Sequence, residues 1–288
     1  MSAVQTEKYY LPEPSYWPII GSLALMMMCI GGVMTMHEID HGGTVLLAGL
    51  AVMFFMMFGW FGDVVRASEA GKFNKQVDSS YRWSMSWFIF SEVMFFAAFF
   101  GALFYTRVLS VPWLSEGETM NQLWHGFKGG WPTAGPGLTQ DGYQFTPMRA
   151  WGIPAINTLL LLSSGVTITW AHWALKKSNR SQLILGLAAT VTLGIVFLIL
   201  QAYEYHHAYT EMGLTLGAGV YGATFFMLTG FHGFHVWVGT TMLIIMLFRS
   251  MAGHFTAEHH FAFEAVSWYW HFVDVVWVLL FIVVYWLI

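Results

Sequence analysis

Charge is what this sequence has least of. Only 10% of its 288 residues are Asp, Glu, Lys or Arg, against about 25% in an ordinary soluble domain. With 57% hydrophobic and 18% aromatic residues and a mean hydropathy of +0.57, a water-soluble fold is excluded and a polytopic membrane protein is expected. Cysteine is nearly absent. The single Cys29 rules out an intrachain disulfide and any CxxC or cysteine-rich metal site. Lying in an apolar run, it reads as a small core residue. There is no block of basic residues, and the net charge of -4 argues against nucleic acid as a partner. The polar stretch Met1 to Pro14 lacks a basic segment followed by a short apolar one, so no cleaved signal is expected. Walker loops, GxGxxG, nucleophile elbows and HExxH are all missing.

What the chain does have is seven hydrophobic stretches, at roughly 16–36, 44–65, 84–109, 152–175, 183–205, 219–248 and 264–288. At about 1.5 Å per helical residue each can cross about 30 Å of hydrocarbon. If the N-terminus is inside, the inside segments hold Lys8, Arg66, Lys72, Lys75, Arg82, Lys176, Lys177, Arg180 and Arg249, nine of the twelve basic residues. Arg107, Lys128 and Arg149 fall outside. This bias predicts N-inside and C-outside. The one long loop, 110–151, is rich in Gly and Pro and is expected to be an irregular cap on the outer face. A short basic loop, 66–83, separates a two-helix piece (1–80) from a five-helix piece (81–288).

The last stretch carries the sharpest signal. After Glu264 its only ionisable groups are His271 and Asp274. An ionisable group at bilayer depth costs about 2.5 to 3.5 kcal/mol on insertion scales and persists only beside a partner or inside protein. This helix must turn a face toward other protein.

Five further constellations stand out. Trp60-Phe61-Gly62-Asp63 with Arg66 ends the second stretch. Asp63 and Arg66 are three apart and can pair, and the group reads either as a lipid-headgroup site or as a plain interfacial anchor. Glu92, within Ser91-Glu92-Val-Met-Phe-Phe, lies about two turns into the third stretch with no basic residue within a helical turn. It reads as a proton-handling group or as neutral packing glue. His232 and His235 share a face, as do His271 and Asp274. Two histidines and a carboxylate could ligate a metal, but Gly230, Gly233 and Gly239 favour close helix packing. Gln201-Ala-Tyr203-Glu204-Tyr205-His206-His207 reads as an interfacial belt. The segment Arg249 to His260, with His254, Thr256, Glu258 and His259, could bind headgroups, collect protons or simply be solvated.

Taken with Pro154-Ala-Ile-Asn157-Thr158, Ser164-Gly165-Val-Thr-Ile-Thr169-Trp170-Ala-His172, Gln201-Ala-Tyr-Glu204-Tyr, Thr229-Gly-Phe-His232-Gly-Phe-His235 and His259-His-Phe-Ala-Phe-Glu264 through Trp277, these residues resemble subunit III of the haem–copper cytochrome c oxidases across nearly the whole chain. The resemblance implies an all-α membrane fold of seven helices in two bundles, one and two against three to seven, around a V-shaped lipid-filled cleft. It implies no haem or copper in this chain. Those belong to partner subunits I and II of a proton-pumping complex that oxidises cytochrome c and reduces dioxygen, with a small fourth subunit as a further neighbour. It implies an accessory role: stabilising the complex, binding structural phospholipid, supporting proton uptake and offering oxygen a route. Glu92 matches the family's buried carboxylate. Trp60, Phe61, Asp63 and Arg66, and then Arg249, His254, Thr256, His259 and Phe261, match lipid contacts. His232, His235, Glu204, Glu264, His271 and Asp274 match buried polar or interface positions. Gly62 and Ala252 stand where many relatives carry a basic residue. The long 110–151 loop points to a bacterial protein of the plasma membrane. Two other classes stay open on the residues alone: a self-standing transporter or proton channel lined by Glu92, Asp274 and the histidines, and a metalloenzyme built on His232, His235 and Asp274.

Overall fold

The computed structural model describes residues 10–288. Most of the polar N-terminal stretch, residues 1–9 with Lys8 among them, lies outside the described residues.

Seven helices are long and apolar enough to cross a membrane. We label them α1 (Trp17–Met36), α2 (Gly42–Glu69), α3 (Lys75–Phe104), α4 (Ile153–Lys176), α5 (Arg180–Glu211), α6 (Gly219–Ala252) and α7 (Phe261–Leu280). No strand occurs among the described residues. The protein is an all-helical, multi-pass membrane protein. α3 runs on through a π-helical turn, Tyr105–Ser110, to Trp113, and α7 through another, Phe281–Trp286.

The helices outrun the hydrophobic stretches that foretell them. α3 begins at Lys75 rather than near 84, and α2 continues to Glu69, so the expected loop 66–83 shrinks to five residues, 70–74. Hydropathy senses only the hydrocarbon thickness, whereas backbone hydrogen bonding carries a helix on into the polar interface. Local signals set the ends. Pro18 and Pro154 sit in the first turns of α1 and α4, where a missing N–H costs nothing. The Asn179 side chain caps α5 by accepting from the Gln182 N–H at 3.2 Å. Gly253, at φ +85°, ends α6 in a left-handed cap that few other residues tolerate.

The chain divides into two compact units, one running to Trp83 and the other from Ser84 to Ile288. In the first, α1 packs on α2 through small residues. A Cβ at Gly31 would lie 2.3 Å from the Leu46 backbone nitrogen, and one at Gly49 2.8 Å from that of Met28. Cys29 faces outward on α1, contrary to its reading as a core residue. In lipid the outer face is as apolar as the inner one, so hydropathy alone does not tell them apart.

In the second unit, α4 packs on α5, α5 on α6, α6 on α7, and α7 back on α4, a closed ring of four helices. α3 joins through Phe95, Phe96 and Phe99, whose rings meet Phe231, His235 and Phe272. The final helix is the innermost. Of its most apolar window 61% is buried, against 11% for α2, in keeping with a helix that carries ionisable groups.

The 110–151 loop is more than an irregular cap. Short helices at Glu118–Leu123 and Pro136–Gln140 break it up, and Phe127, Thr133, Ala134, Met148 and Ala150 are buried. The carbonyls of Thr133 and Ala134 accept the N–H groups of Tyr221 and Val220, which satisfies donors at the start of α6.

Candidate functional site

Trp270 is the centre from which the polar interior of the second unit is organised. It is fully buried. A Cβ at Gly194 of α5 or at Gly239 of α6 would fall 2.9 Å from its ring, so only glycine admits the indole there. Its Nε1–H donates to Ser164 Oγ of α4 at 2.8 Å. Two turns on, Trp277 Nε1–H donates to Thr158 Oγ1 of α4 at 3.0 Å. In hydrocarbon an unpaired indole N–H is costly, so these bonds fix the register of α7 against α4. Of the glycines expected to allow close packing, Gly239 does so, while Gly233 faces open space.

Around this centre Glu92, Asp274 and Glu204 each meet a defined polar partner, whereas His232 meets only aromatic rings. Glu92 Oε2 lies 2.9 Å from His235 Nε2. The other ring nitrogen, Nδ1, lies 2.6 Å from the Phe231 carbonyl oxygen. A carbonyl only accepts, so Nδ1 carries a proton in this contact. The ring then either accepts from a protonated carboxyl through Nε2 or, with both nitrogens protonated, pairs with a carboxylate. In both cases the pair shares one proton between α3 and α6. Glu92 keeps 21% of its side chain exposed, against 10% for His235, so the contact lies at the edge of the bundle.

Asp274 is buried and its Oδ2 lies 3.6 Å from His271 Nδ1. His271 Nε2 lies 3.3 Å from Thr169 Oγ1 on α4. A Cβ at Gly165 would come 2.6 Å from Asp274 Oδ2, so that glycine makes room for the carboxylate. Glu204 is buried and accepts from the Tyr285 hydroxyl at 2.8 Å. The segment around it was expected as an interfacial belt, but it divides. Tyr203 is exposed, whereas Tyr205 donates to or accepts from Thr229 at 2.6 Å and Glu204 points inward. His232 is wholly buried between Phe197 and Trp277.

His232, His235 and Asp274 do not converge. Each is engaged with a different neighbour, and they form no shared ligand set among the described residues. The metalloenzyme arrangement fails on geometry, because His235 turns to Glu92 of α3, Asp274 to His271, and His232 lies between the Phe197 and Trp277 rings.

The expected lipid contacts fall into two groups. In the first unit, Trp60 and Phe61 are exposed. Asp63 pairs with Arg66 and accepts from Trp17 Nε1–H at 2.6 Å, tying α2 to α1. In the second unit, the Arg249 guanidinium lies over the Phe255 ring at 4.7 Å, while His254 and His259 are exposed and Phe261 opens α7. The Thr256 hydroxyl accepts the His259 N–H at 3.1 Å, holding the loop in a tight turn.

Sequence reasoning did not find Trp17, Thr169 and Tyr285 as partners, and it named His172 and His260 only within longer stretches, without bringing them together. Only the four-residue step from His260 to Glu264 was visible in advance. The rest depend on which helices face each other.

The chain matches the family described as cytochrome c oxidase subunit III over residues 7–288. It is similar to cytochrome c oxidase subunit 3 of the liverwort Marchantia polymorpha, 44% identical over 287 residues, covering 99% of this chain and 98% of that one. It is also similar to the subunits of the same name from Dugong dugon and Gazella leptoceros, each 41% identical over 283 residues and covering 98% of both chains. With a family match over almost its full length, relatives above 40% identity along the whole chain and seven helices able to span a membrane, the chain belongs to the cytochrome c oxidase subunit III family.

Proposed function

We propose that this chain is the accessory, redox-silent subunit of a proton-pumping cytochrome c oxidase, and that it steadies the complex, holds phospholipid and supports proton uptake. The observation that carries the reading is the full-length family match, which makes the chain a member of an oxidase complex. In this reading haem and copper reside in subunits I and II. Subunit I is the main contact, subunit II and a small fourth subunit are further neighbours, and cytochrome c and dioxygen are the complex's substrates.

The chain's residues support distinct parts of that role. The Glu92–His235 contact is a proton-sharing pair at the rim of a bundle, suited to exchanging a proton with its surroundings. Trp60, Phe61 and Arg66 offer an aromatic anchor beside a guanidinium, which suits a phosphodiester headgroup at the interface. Arg249, His254, Thr256, His259 and Phe261 offer a second group of the same character. Bound acyl chains would give apolar dioxygen a path better than water. The bias of basic residues favours an N-terminus in the cytoplasm and a C-terminus in the periplasm of a bacterial plasma membrane.

Purification of the detergent-solubilised protein tests this reading. A coloured multisubunit oxidase with haem bands is expected. A colourless, active homo-oligomer would overturn it in favour of a transporter. In that complex, Arg66→Ala is expected to lose bound phospholipid, read by mass spectrometry of extracted lipid, and to shorten catalytic lifetime. Unchanged lipid and lifetime would remove the headgroup site.

A further inference from the structure

We infer that His172, His260 and Glu264 form a binding site for a divalent transition metal, Zn²⁺ being the ion their chemistry fits best. The three side chains come from two helices. His172 stands near the end of α4, His260 caps the start of α7, and Glu264 lies in the first turn of α7. One ligand-type atom from each falls within 4.8 Å of the others. This is the one such group among the described residues.

Three features make the group a site and not a chance approach. First, His260 and Glu264 are four residues apart on a helix, so their side chains project from one face. Second, the tautomer of His260 is fixed. Its Nδ1 lies 3.1 Å from the Thr256 carbonyl oxygen and must donate to it, which leaves the Nε2 lone pair to face a cation. Outer contacts of this kind orient a ligating imidazole and raise its basicity. Thr256 is itself held by the His259 N–H. Third, His172 Nε2 is buried and meets no hydrogen-bonding partner among the described residues. A buried polar atom left this way is costly, and a metal bond would satisfy it.

The donor set selects the ion. Two imidazoles and one carboxylate suit Zn²⁺ better than Ca²⁺ or Mg²⁺, which take oxygen ligands. Zn–N and Zn–O bonds of about 2.0–2.2 Å in a tetrahedron bring ligand atoms to about 3.4 Å of one another. A separation of 4.8 Å must therefore close by about 1.4 Å, within reach of side-chain rotation because all three residues are only partly buried. Three protein ligands leave a fourth position for water, so the ion is exchangeable. Lys176, one turn beyond His172, places a positive charge on the same helix face and opposes binding. Bound zinc would clamp the end of α4 to the start of α7 and hold the 253–260 turn between them.

Equilibrium dialysis of the purified, chelator-washed oxidase complex against radioactive Zn²⁺ tests the site. The wild-type complex is expected to bind one more exchangeable zinc than the Glu264→Gln and His172→Gln variants, or to bind it at least about tenfold more tightly. Equal zinc number and affinity in wild type and variants would overturn the site. Should the variants fail to assemble, anomalous diffraction from Cd²⁺-soaked wild-type complex decides. Density between these three side chains supports the site, and ions found only elsewhere refute it. Neither measurement depends on oxidase activity, so failure here leaves the accessory role untouched.

Discussion

Where α1 meets α2, backbone presses on backbone: Gly31 against Leu46, Gly49 against Met28, and Gly42 against Thr35, each position lacking room for a Cβ. Among α4 to α7 the helices are instead joined by polar side chains: Trp270 to Ser164, Trp277 to Thr158, Thr167 to Thr190, and Tyr205 to Thr229. Lipid supplies no hydrophobic force to drive helices together, so association rests on close van der Waals contact or on hydrogen bonds between helices. The first unit rests mainly on close contact, with the Trp17–Asp63 bond beside it, and the second adds a set of bonds between helices to glycine contacts of its own. The consequence is a difference in what they can hold. A pair of helices in backbone contact has no interior, while a ring joined by longer side chains encloses Glu204, His232 and Asp274.

Three substitutions probe that contrast. The largest effect is expected at Gly31. Gly31→Val would force side-chain atoms onto the Leu46 backbone, which cannot yield as a flexible side chain would. A loss of about 3 kcal/mol or more follows from overpacking at a rigid contact, read as a lowered midpoint when the purified complex is heated and release of this subunit is followed. An unchanged midpoint would mean that the glycine contact does not hold α1 to α2.

Trp270→Phe comes next. It removes the indole N–H, takes from Ser164 Oγ the bond it accepts while leaving the one it donates to the Leu161 carbonyl, and opens space between Gly194 and Gly239. About 2 kcal/mol is expected from the lost bond and the void together. A Cβ at Gly194 would also meet Thr240 Oγ1 at 2.9 Å, so the sharper form compares Gly194→Ala in the wild-type and Trp270→Phe backgrounds, where the methyl group should cost less once the indole is gone. An equal cost in both backgrounds would show that the ring does not fill that space.

The smallest effect is expected at Glu92→Gln. The amide can still bond His235, so assembly, haem content and initial turnover should stay close to wild type, with stability within about 1 kcal/mol. Loss of haem in the purified variant would contradict an accessory role for this chain, since the residue would then be needed to build the redox subunits.

The local pairs were legible from spacing. Asp63 with Arg66, and His271 with Asp274, are three residues apart on helices, and both pairs form. Glu92 with His235 is separated by 143 residues and Glu204 with Tyr285 by 81. No periodicity announces either, because they depend on the order and rotation of helices. Cys29 and Gly233 show the same limit in reverse. Each sits among residues that look interior, yet each faces outward, since a small residue reads the same on the lipid side as on the protein side.

Composition and hydropathy alone determined that this chain crosses a membrane seven times, for the backbone must satisfy its own hydrogen bonds wherever water is missing. Its motif residues alone pointed to the family. The tertiary structure decided which acid meets which histidine, which tryptophan enters which glycine gap, and that His172, His260 and Glu264 converge. Contacts between helices are set by rotation about each axis, and in an apolar solvent that rotation is governed by packing and a few polar bonds, not by a hydrophobic face written into the sequence.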